Sequence, residues 1–349
     1  MASSVVGIDI GSTSLRAVEV QNPDKSRPTV LRTHEVPLPV GSASRGEVVE
    51  PNTVAQAMKV LWKQGGFSTK NVVLGIGNQR LLARDFSVPK MPIARIRESL
   101  PFEAQDLLPV PVADALLDFY PISEAEGEHG PVINGLLIAA VKEAVAGNIK
   151  AVTSAGLHPV DVDAIPFALS RAMVTRQRTP GTLALVDIGA STTNIVVLKD
   201  LVPQFVRIVP TGGDDITRTI QVEMEISSAE AERYKRSLGL AKSVNSLDEH
   251  KAAEAIFRVT NELLLSLRNT VNYYANTRAG ERIDGIVLSG GGAQLPNFVT
   301  ALAEVTRIPV SAGNPFASVK LGKALAAGDP TGRRQSYAVA LGLALGAAA

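Results

Sequence analysis

Two carboxylates, Asp9 and Asp187, close apolar runs in segments that nearly repeat one another: VVGIDIGSTSLRAVEV at 5–20 and LALVDIGASTTNIVVL at 183–198. In each, a glycine (Gly11, Gly189) follows the carboxylate by two positions, and hydroxyl residues (Ser12 and Thr13, Ser191 and Thr192) come next. A glycine lets backbone amides approach a ligand closely because no Cβ intervenes. Successive N–H groups in such a turn form a concavity suited to anionic oxygens, and the hydroxyls add donors beside them. Two such tips facing one another would clamp a polyphosphate from both sides. Asp9 and Asp187 would repel phosphate directly, but each can hold a hydrated magnesium ion that contacts it. Arg16, seven residues after Asp9 on the returning strand, is expected to point back toward the phosphates as a cationic clamp.

A third cluster, IVLSGGGAQLPNF at 286–298, follows another apolar run. Gly290, Gly291 and Gly292 would permit close backbone approach to a flat ring or a sugar at the opening of a helix. A lone Asp-Ile-Gly is most often a strand end with a turn. Two copies matching in order and length, each beginning an apparent half, together with the glycine triplet, favour a nucleotide. His34, His129, His158 and His250 form no ligand spacing and are assigned no role.

These residues need strands and turns to hold them. Residues 4–10, 15–20 and 28–36 read as a small antiparallel meander, with a helix over 52–64 and a buried strand at 71–77. From about 81 to 157 a strand–helix–strand–strand–helix unit with Pro-rich seams, VPKMP and LPVPV, reads as an inserted module. A helix over 165–175 leads into the second Asp-Ile-Gly segment and another strand. Residues 211–280 are mostly helical, with helices at 214–225, 228–237 and 249–276; the last repeats apolar residues at steps of three and four. A helix at about 296–305 and the apolar YAVALGLALGAAA, read as a buried helix and not an anchor, complete the chain. Strands and helices alternate, so the class is α/β.

Composition narrows the function classes. With 349 residues the chain exceeds one core's usual service, so about two domains are expected. Basic and acidic residues balance at 35 and 34, which offers no general attraction to nucleic acid or anionic lipid. The absence of cysteine excludes disulfides, thiolate zinc sites and cysteine nucleophiles, and fits a reducing compartment. The N-terminus does not read as a secretory signal. The longest apolar stretch, Gly135 to Val141, is far short of the roughly 20 residues of a membrane-spanning helix.

The order DIGSTS…R, DIGASTT, GGDDIT, AERYK and LSGGG resembles the actin-like ATPase superfamily, which includes actin, MreB, FtsA, DnaK-type chaperones and sugar kinases. The module at 81–157 is similar to that of FtsA and, more closely, of the PilM family of type IV pilus assembly proteins. VPKMP…ESLPFEAQDLLPVPVADALLDFYPI and AGLHPVDVDAIPFALSRA are PilM-like, and the likeness spans essentially the whole chain. It implies a two-lobed fold of duplicated ribonuclease H-like domains with ATP and Mg2+ in the cleft. The first lobe would be residues 1–182 with the insert at 81–157, the second 183–335 with a helical subdomain at 211–280, and 336–349 a helix returning to the first lobe.

By motif, the resemblance implies that Asp9, Gly11, Ser12, Thr13 and Arg16 form the first phosphate loop, and Asp187, Gly189, Ser191 and Thr192 the second. Gly213 would lie near the ribose, Glu232 and Lys235 would flank ribose and adenine, and Gly290, Gly291 and Gly292 would receive the adenosine. Read without the family, Glu232 and Lys235 are an ordinary solvated helix pair. Asp187 is the catalytic candidate, and Asp9 and Asp187 the magnesium residues through water. One departure matters: where relatives carry Glu or Gln before the proline of the connecting helix to orient the attacking water, DAIPF places Ile165, or, with a shift of one or two residues, Asp163. A nucleotide-dependent switch with slow or no hydrolysis follows.

The resemblance further implies a cytoplasmic protein, peripheral to the inner face of the plasma membrane, that binds the N-terminal tail of a PilN-like membrane protein in a groove between insert and first lobe. Other pilus inner-membrane components and self-association would complete its contacts, without nucleic acid. Phe86, Phe102 and Phe119 are apolar candidates for the groove, though each reads first as core. An FtsA-like cell-division protein is the nearest alternative, and the chain shows no terminal amphipathic membrane helix of the FtsA kind. A sugar kinase is the alternative enzyme.

Overall fold

The computed structural model describes residues 3–278, 280–326 and 334–347. β1 (Ser4–Ile10), β2 (Ser14–Gln21) and β3 (Thr29–Pro37) form an antiparallel meander. A two-rung hairpin, β4 (Ala43–Ser44) and β5 (Glu47–Val48), precedes α1 (Pro51–Gly65). α1 stops where Gly66 turns left-handed at φ 62, a conformation that costs glycine little. β6 (Asn71–Ile76) then lies parallel to β1.

β7 (Leu81–Pro89), α2 (Ile93–Glu103), β8 (Ala115–Gly127) and β9 (Gly130–Val141) follow, the strands forming a separate sheet in the order β7-β9-β8. α3 (Lys142–Ser154) and β10 (His158–Ala164) return to the first sheet, β10 pairing parallel to β6. α4 (Ile165–Ser170) runs into a π turn at Arg171–Thr175, so the helix expected over 165–175 changes its winding midway.

β11 (Thr182–Ile188), β12 (Thr193–Lys199) and β13 (Val202–Val209) repeat the meander. Next come α5 (Gly213–Met224), α6 (Ser228–Leu238), α7 (Leu247–Thr277), β14 (Gly285–Ser289), α8 (Phe298–Thr306) and β15 (Val310–Ala312). The two-residue β16 (Lys320–Leu321) extends the edge of β3, and α9 (Lys323–Ala326) and α10 (Ala338–Gly346) follow. Within the strand repeat, β10-β6-β1-β2-β3 and β15-β14-β11-β12-β13 share one order and one set of parallel and antiparallel pairings. Positions 348–349 of the returning helix and 327–333 of the segment before it lie outside the described residues.

The cores explain the layering. α1 and α3 cover one face of the first sheet, where Val54, Met58, Leu61, Ala151 and Val152 meet Ile8, Leu15 and Leu74. α5, α7 and α8 cover the far face of the second sheet, through Ile216, Ile220, Leu263, Leu267, Tyr274 and Phe298. Between the sheets lie α4 and α10, packed against Val5, Val18 and Val20 on one side and Leu185, Val196 and Leu198 on the other. Every residue of α10 is buried, as a helix apolar all round requires.

The expected unit at 81–157 divides. β7, α2, β8 and β9 share a core of Val88, Ile96, Leu100, Phe119 and Leu137, whereas α3 packs on α1 as part of the first sheet's cover. Apolar spacing marks a buried face on α3 but not which neighbour buries it. α2 is shorter than the expected 93–106: it ends at Glu103 and a separate 3-10 turn follows at Gln105–Leu107.

Candidate functional site

The repeat places the two Asp-Ile-Gly turns at equivalent strand ends. Gly11 N–H donates to Ser14 O at 3.1 Å and Gly189 N–H to Thr192 O at 2.9 Å, so both corners close in the same way. The tips touch: Ser12 Oγ and Ser191 Oγ are 2.5 Å apart, and Arg45 N–H donates to both, at 3.2 and 3.1 Å. Arg45 and Gly46 carry φ of 49 and 80 in the turn joining β4 to β5. This third tip was not legible in the sequence, although its Ser-Arg-Gly-Glu run contains the glycine such a turn favours. Thr13 is exposed, and Thr192 is half-buried beside Ser191.

Both carboxylates are buried behind these tips, Asp9 with 9% and Asp187 with 7% of its surface exposed. Ser289 Oγ, at the end of β14, donates to Asp187 Oδ1 at 2.5 Å because β11 and β14 pair in register at those two residues. Burial raises the Asp9 carboxyl above its usual range, against the pull of Arg16. Burial also raises Asp187, to about 6, with Asp9 adding repulsion while Ser289 and Arg16 oppose it. From the ordinary aspartate value of 3.8, that position corresponds to about 3 kcal/mol against the charged form.

Among the described residues no three carboxylate or histidine ligands converge, so a metal cage made only of protein is absent. Two coupled carboxylates beside hydroxyls fit a magnesium ion that keeps most of its water. Protonation of Asp187 competes with such an ion. Were a magnesium-bound nucleotide held here, as the paired Asp-Ile-Gly turns lead one to expect, its affinity would fall as pH drops through about 6, by about tenfold for each further unit, in titrations at fixed ionic strength.

Arg16 lies on β2 opposite Asp9 of β1 and Glu35 of β3, and its guanidinium reaches Asp9 Oδ2 at 3.5 Å and Glu35 Oε1 at 3.0 Å. The residue expected as a phosphate clamp is thus held among carboxylates behind the first tip, with Nη1 3.9 Å from where a Cβ on Gly11 would lie.

The remaining glycines gather on the second half. Gly290 has φ +86, and a Cβ there would lie 2.3 Å from Ile188 O; one at Gly292 would lie 2.5 Å from Ile188 Cγ2. These two glycines seat the turn on β11, while a Cβ at Gly291 would meet no atom within 4 Å. Gly213 N–H donates to Gly189 O at 2.9 Å, which fixes the start of α5 beside the second tip. Lys235 Nζ donates to Gly213 O at 3.0 Å and Thr217 Oγ1 at 2.8 Å, and pairs with Glu232 at 2.6 Å. Glu232 also accepts from Thr217 at 2.7 Å and is held below the usual carboxylate range by these partners despite its partial burial. The pair read without the family as solvated ties α6 to α5.

Ile165 opens α4 and faces Gly75 and Gly77, where added Cβ atoms would lie 2.9 and 2.8 Å from its side chain. Asp163, the alternative acid, is paired with Arg171, which also donates to Gly342 O. Of the three phenylalanines, Phe119 is core and meets Phe86 edge-on, while Phe102 is 83% exposed. Residues missed by sequence reasoning are Arg45, Asn78, Asn194, Thr217 and Ser289. Asn194 and Ser289 stood inside the quoted motifs, but only strand register turns them toward the carboxylates.

The profile of the family described as type IV pilus assembly protein PilM matches residues 7–348. The chain is similar to a structure of a PilM-PilN type IV pilus biogenesis complex, at 28% identity and a TM-score of 0.85, covering 99% of this chain and 98% of that one. It is 21% identical to the cell division protein FtsA of Bacillus subtilis (strain 168), over 89% of this chain and 78% of that protein. MreB5 of Spiroplasma citri bound to AMPPNP shares the fold, with a TM-score of 0.54 at 12% identity over 97% of this chain and 94% of that one.

Proposed function

The chain belongs to the type IV pilus assembly protein PilM family, and from that premise we propose that it is an ATP-binding, actin-like switch that captures the N-terminal tail of a PilN-like membrane protein. Its fold is the actin-like ATPase fold. The observation that carries the nucleotide half is the pair of equivalent tips, each backed by a buried carboxylate and joined at Ser12 and Ser191. Mg·ATP would part the two serines, with hydroxyls and turn amides receiving the β- and γ-phosphates. Magnesium, held through water by Asp9 and Asp187, would supply neutralisation of phosphate charge. The adenosine would lie along Gly213 and Gly291, bordered by Glu232 and Lys235.

With Ile165 where an orienting side chain would stand, slow hydrolysis or none is the reading, and Asp187 is the catalytic candidate for what remains. Among the described residues no helix is long and apolar enough to cross a membrane. Attachment to the inner face of the plasma membrane would come through the captured tail, in the cytoplasm. The FtsA relatives make cell division the second reading. Isothermal titration tests the first: a synthetic PilN-like tail should bind with an affinity changed by Mg·ATP, and a tail that does not bind in either state refutes capture.

The insert offers an anchor for such a peptide. Pro101, Phe102, Leu108, Pro109, Pro111 and Val112 line a surface cavity of about 630 Å³ with few charges. Phe102→Ala is expected to weaken tail binding about tenfold without shifting the melting temperature, since an exposed ring contributes little to folding. Unchanged affinity would move the groove elsewhere.

A further inference from the structure

The tip of the β4–β5 hairpin carries a cation without a counter-charge. Arg45 is exposed, and among the described residues no carboxylate lies within ion-pair distance of its guanidinium. Two other cations beside the site are taken, Arg16 by Asp9 and Glu35 and Lys235 by Glu232. The backbone N–H of Arg45 donates both to Ser12 Oγ of the first tip and to Ser191 Oγ of the second, at 3.2 and 3.1 Å, so its side chain is rooted on the seam where the two halves meet. Its φ of 49 is a left-handed backbone that costs an arginine free energy and a glycine almost none.

The hairpin behind this residue is firmly held. Val48 N–H donates to Oδ1 of the buried Asn148 on α3 at 3.3 Å, and Ser42 O accepts from Val49 and Glu50 N–H at 2.9 and 3.0 Å. Glu47 pairs with Arg80 at 3.3 Å, and Arg80 with Glu143 of α3 at 3.1 Å. A Cβ on Gly46 would lie 3.2 Å from both Gly77 O and Asn78 Cβ, so the turn is seated against the residues that follow β6. A donor fixed in advance pays little ordering entropy when its ligand arrives.

We propose that Arg45 is the residue that distinguishes a nucleoside triphosphate from a diphosphate, its N–H and guanidinium taking the terminal phosphate. The inference rests on the nucleotide reading above. The glycines assigned to adenosine belong to the second half, whereas the hairpin is anchored on α3 of the first, so the end of the phosphate chain farthest from the base is the one that meets Arg45. In the ligand-free protein the two serine oxygens stand where phosphate oxygens would. Once they part, the Arg45 N–H needs a new acceptor, and a terminal phosphate brings both the oxygens and the extra negative charge that a diphosphate lacks there. A guanidinium fork matches that group in charge and geometry.

The test compares Mg·ATP with Mg·ADP by isothermal titration of the full chain. Arg45→Gly keeps the N–H, suits the left-handed turn and removes the cation, so its melting temperature should stay within about 2 °C of the parent's. Its Mg·ATP affinity should fall about tenfold and its Mg·ADP affinity less than about threefold, while Arg45→Lys should bind Mg·ATP at least about threefold more tightly than Arg45→Gly. An ATP-to-ADP preference that Arg45→Gly changes by less than about twofold overturns the proposal, whether both affinities persist or both fall together. So does a lysine variant that binds Mg·ATP no better than the glycine variant. Absence of binding of either nucleotide to the parent refutes the nucleotide reading instead. Should the glycine variant not fold, Arg45→Asn, another residue at home in left-handed backbone, carries the same comparison.

Discussion

Alanine at Gly342 is expected to cost about 3 kcal/mol or more of stability, read as a fall of about 5 °C or more in the melting temperature. An added Cβ would lie 2.0 Å from Ala168 O on α4, a contact with backbone that no side-chain rotation relieves. Gly7 on β1 does the same work on the opposite side of α10, where a Cβ would lie 1.9 Å from Ala340 O and 2.6 Å from Ala344 N. α10 thus sits between a strand and a helix at distances only glycine permits. Gly7→Ala should match Gly342→Ala in effect, and the double variant should fall short of their sum if both push the same helix. Differential scanning calorimetry decides: a shift under about 1 °C for either single variant would mean that α10 moves aside freely.

Asp187→Asn is expected to separate binding from stability in opposite directions. On the proposed magnesium role, losing the Asp187 charge should weaken Mg·ATP binding about thirtyfold or more, taking about 2 kcal/mol for a charge-assisted contact. The ligand-free variant should be more stable than the parent at pH 7, because burial penalises the Asp187 carboxylate and raises it to about 6. The sign follows from linkage. A carboxyl whose folded pKa exceeds its unfolded one favours folding fully below the unfolded value and loses that contribution as pH climbs through the folded value. The parent should therefore lose stability from this group between about pH 4 and 6, and the asparagine variant should not. Melting curves across that window, with and without magnesium, measure both halves. An asparagine variant less stable than the parent at pH 7 would assign Asp187 a structural role.

The duplicated corners were legible because a strand end, a glycine and a hydroxyl pair are local events, written within eight residues each. The all-apolar α10 and the stepwise pattern of α7 were legible for the same reason. What escaped was decided by partners distant in sequence. α3 carries an ordinary apolar face, and only the fold says that α1 covers it. Arg16 reads as a free cation until Glu35 comes alongside on β3. The Arg45 turn meets Ser191 across 146 positions.

The inserted sheet is fastened to both halves. Tyr120 of β8 stacks on Phe167 of α4 with ring centres 5.0 Å apart, while Asp85 of β7 pairs with Arg278 at the end of α7, at 2.6 Å. One fastening belongs to the helix between the sheets and the other to the rim of the second half. A rotation of one half against the other cannot leave such a piece at rest: it must tilt, as a lever does when its two bearings move unequally. Whatever binds its outer end would be displaced by a distance set by the length of that arm.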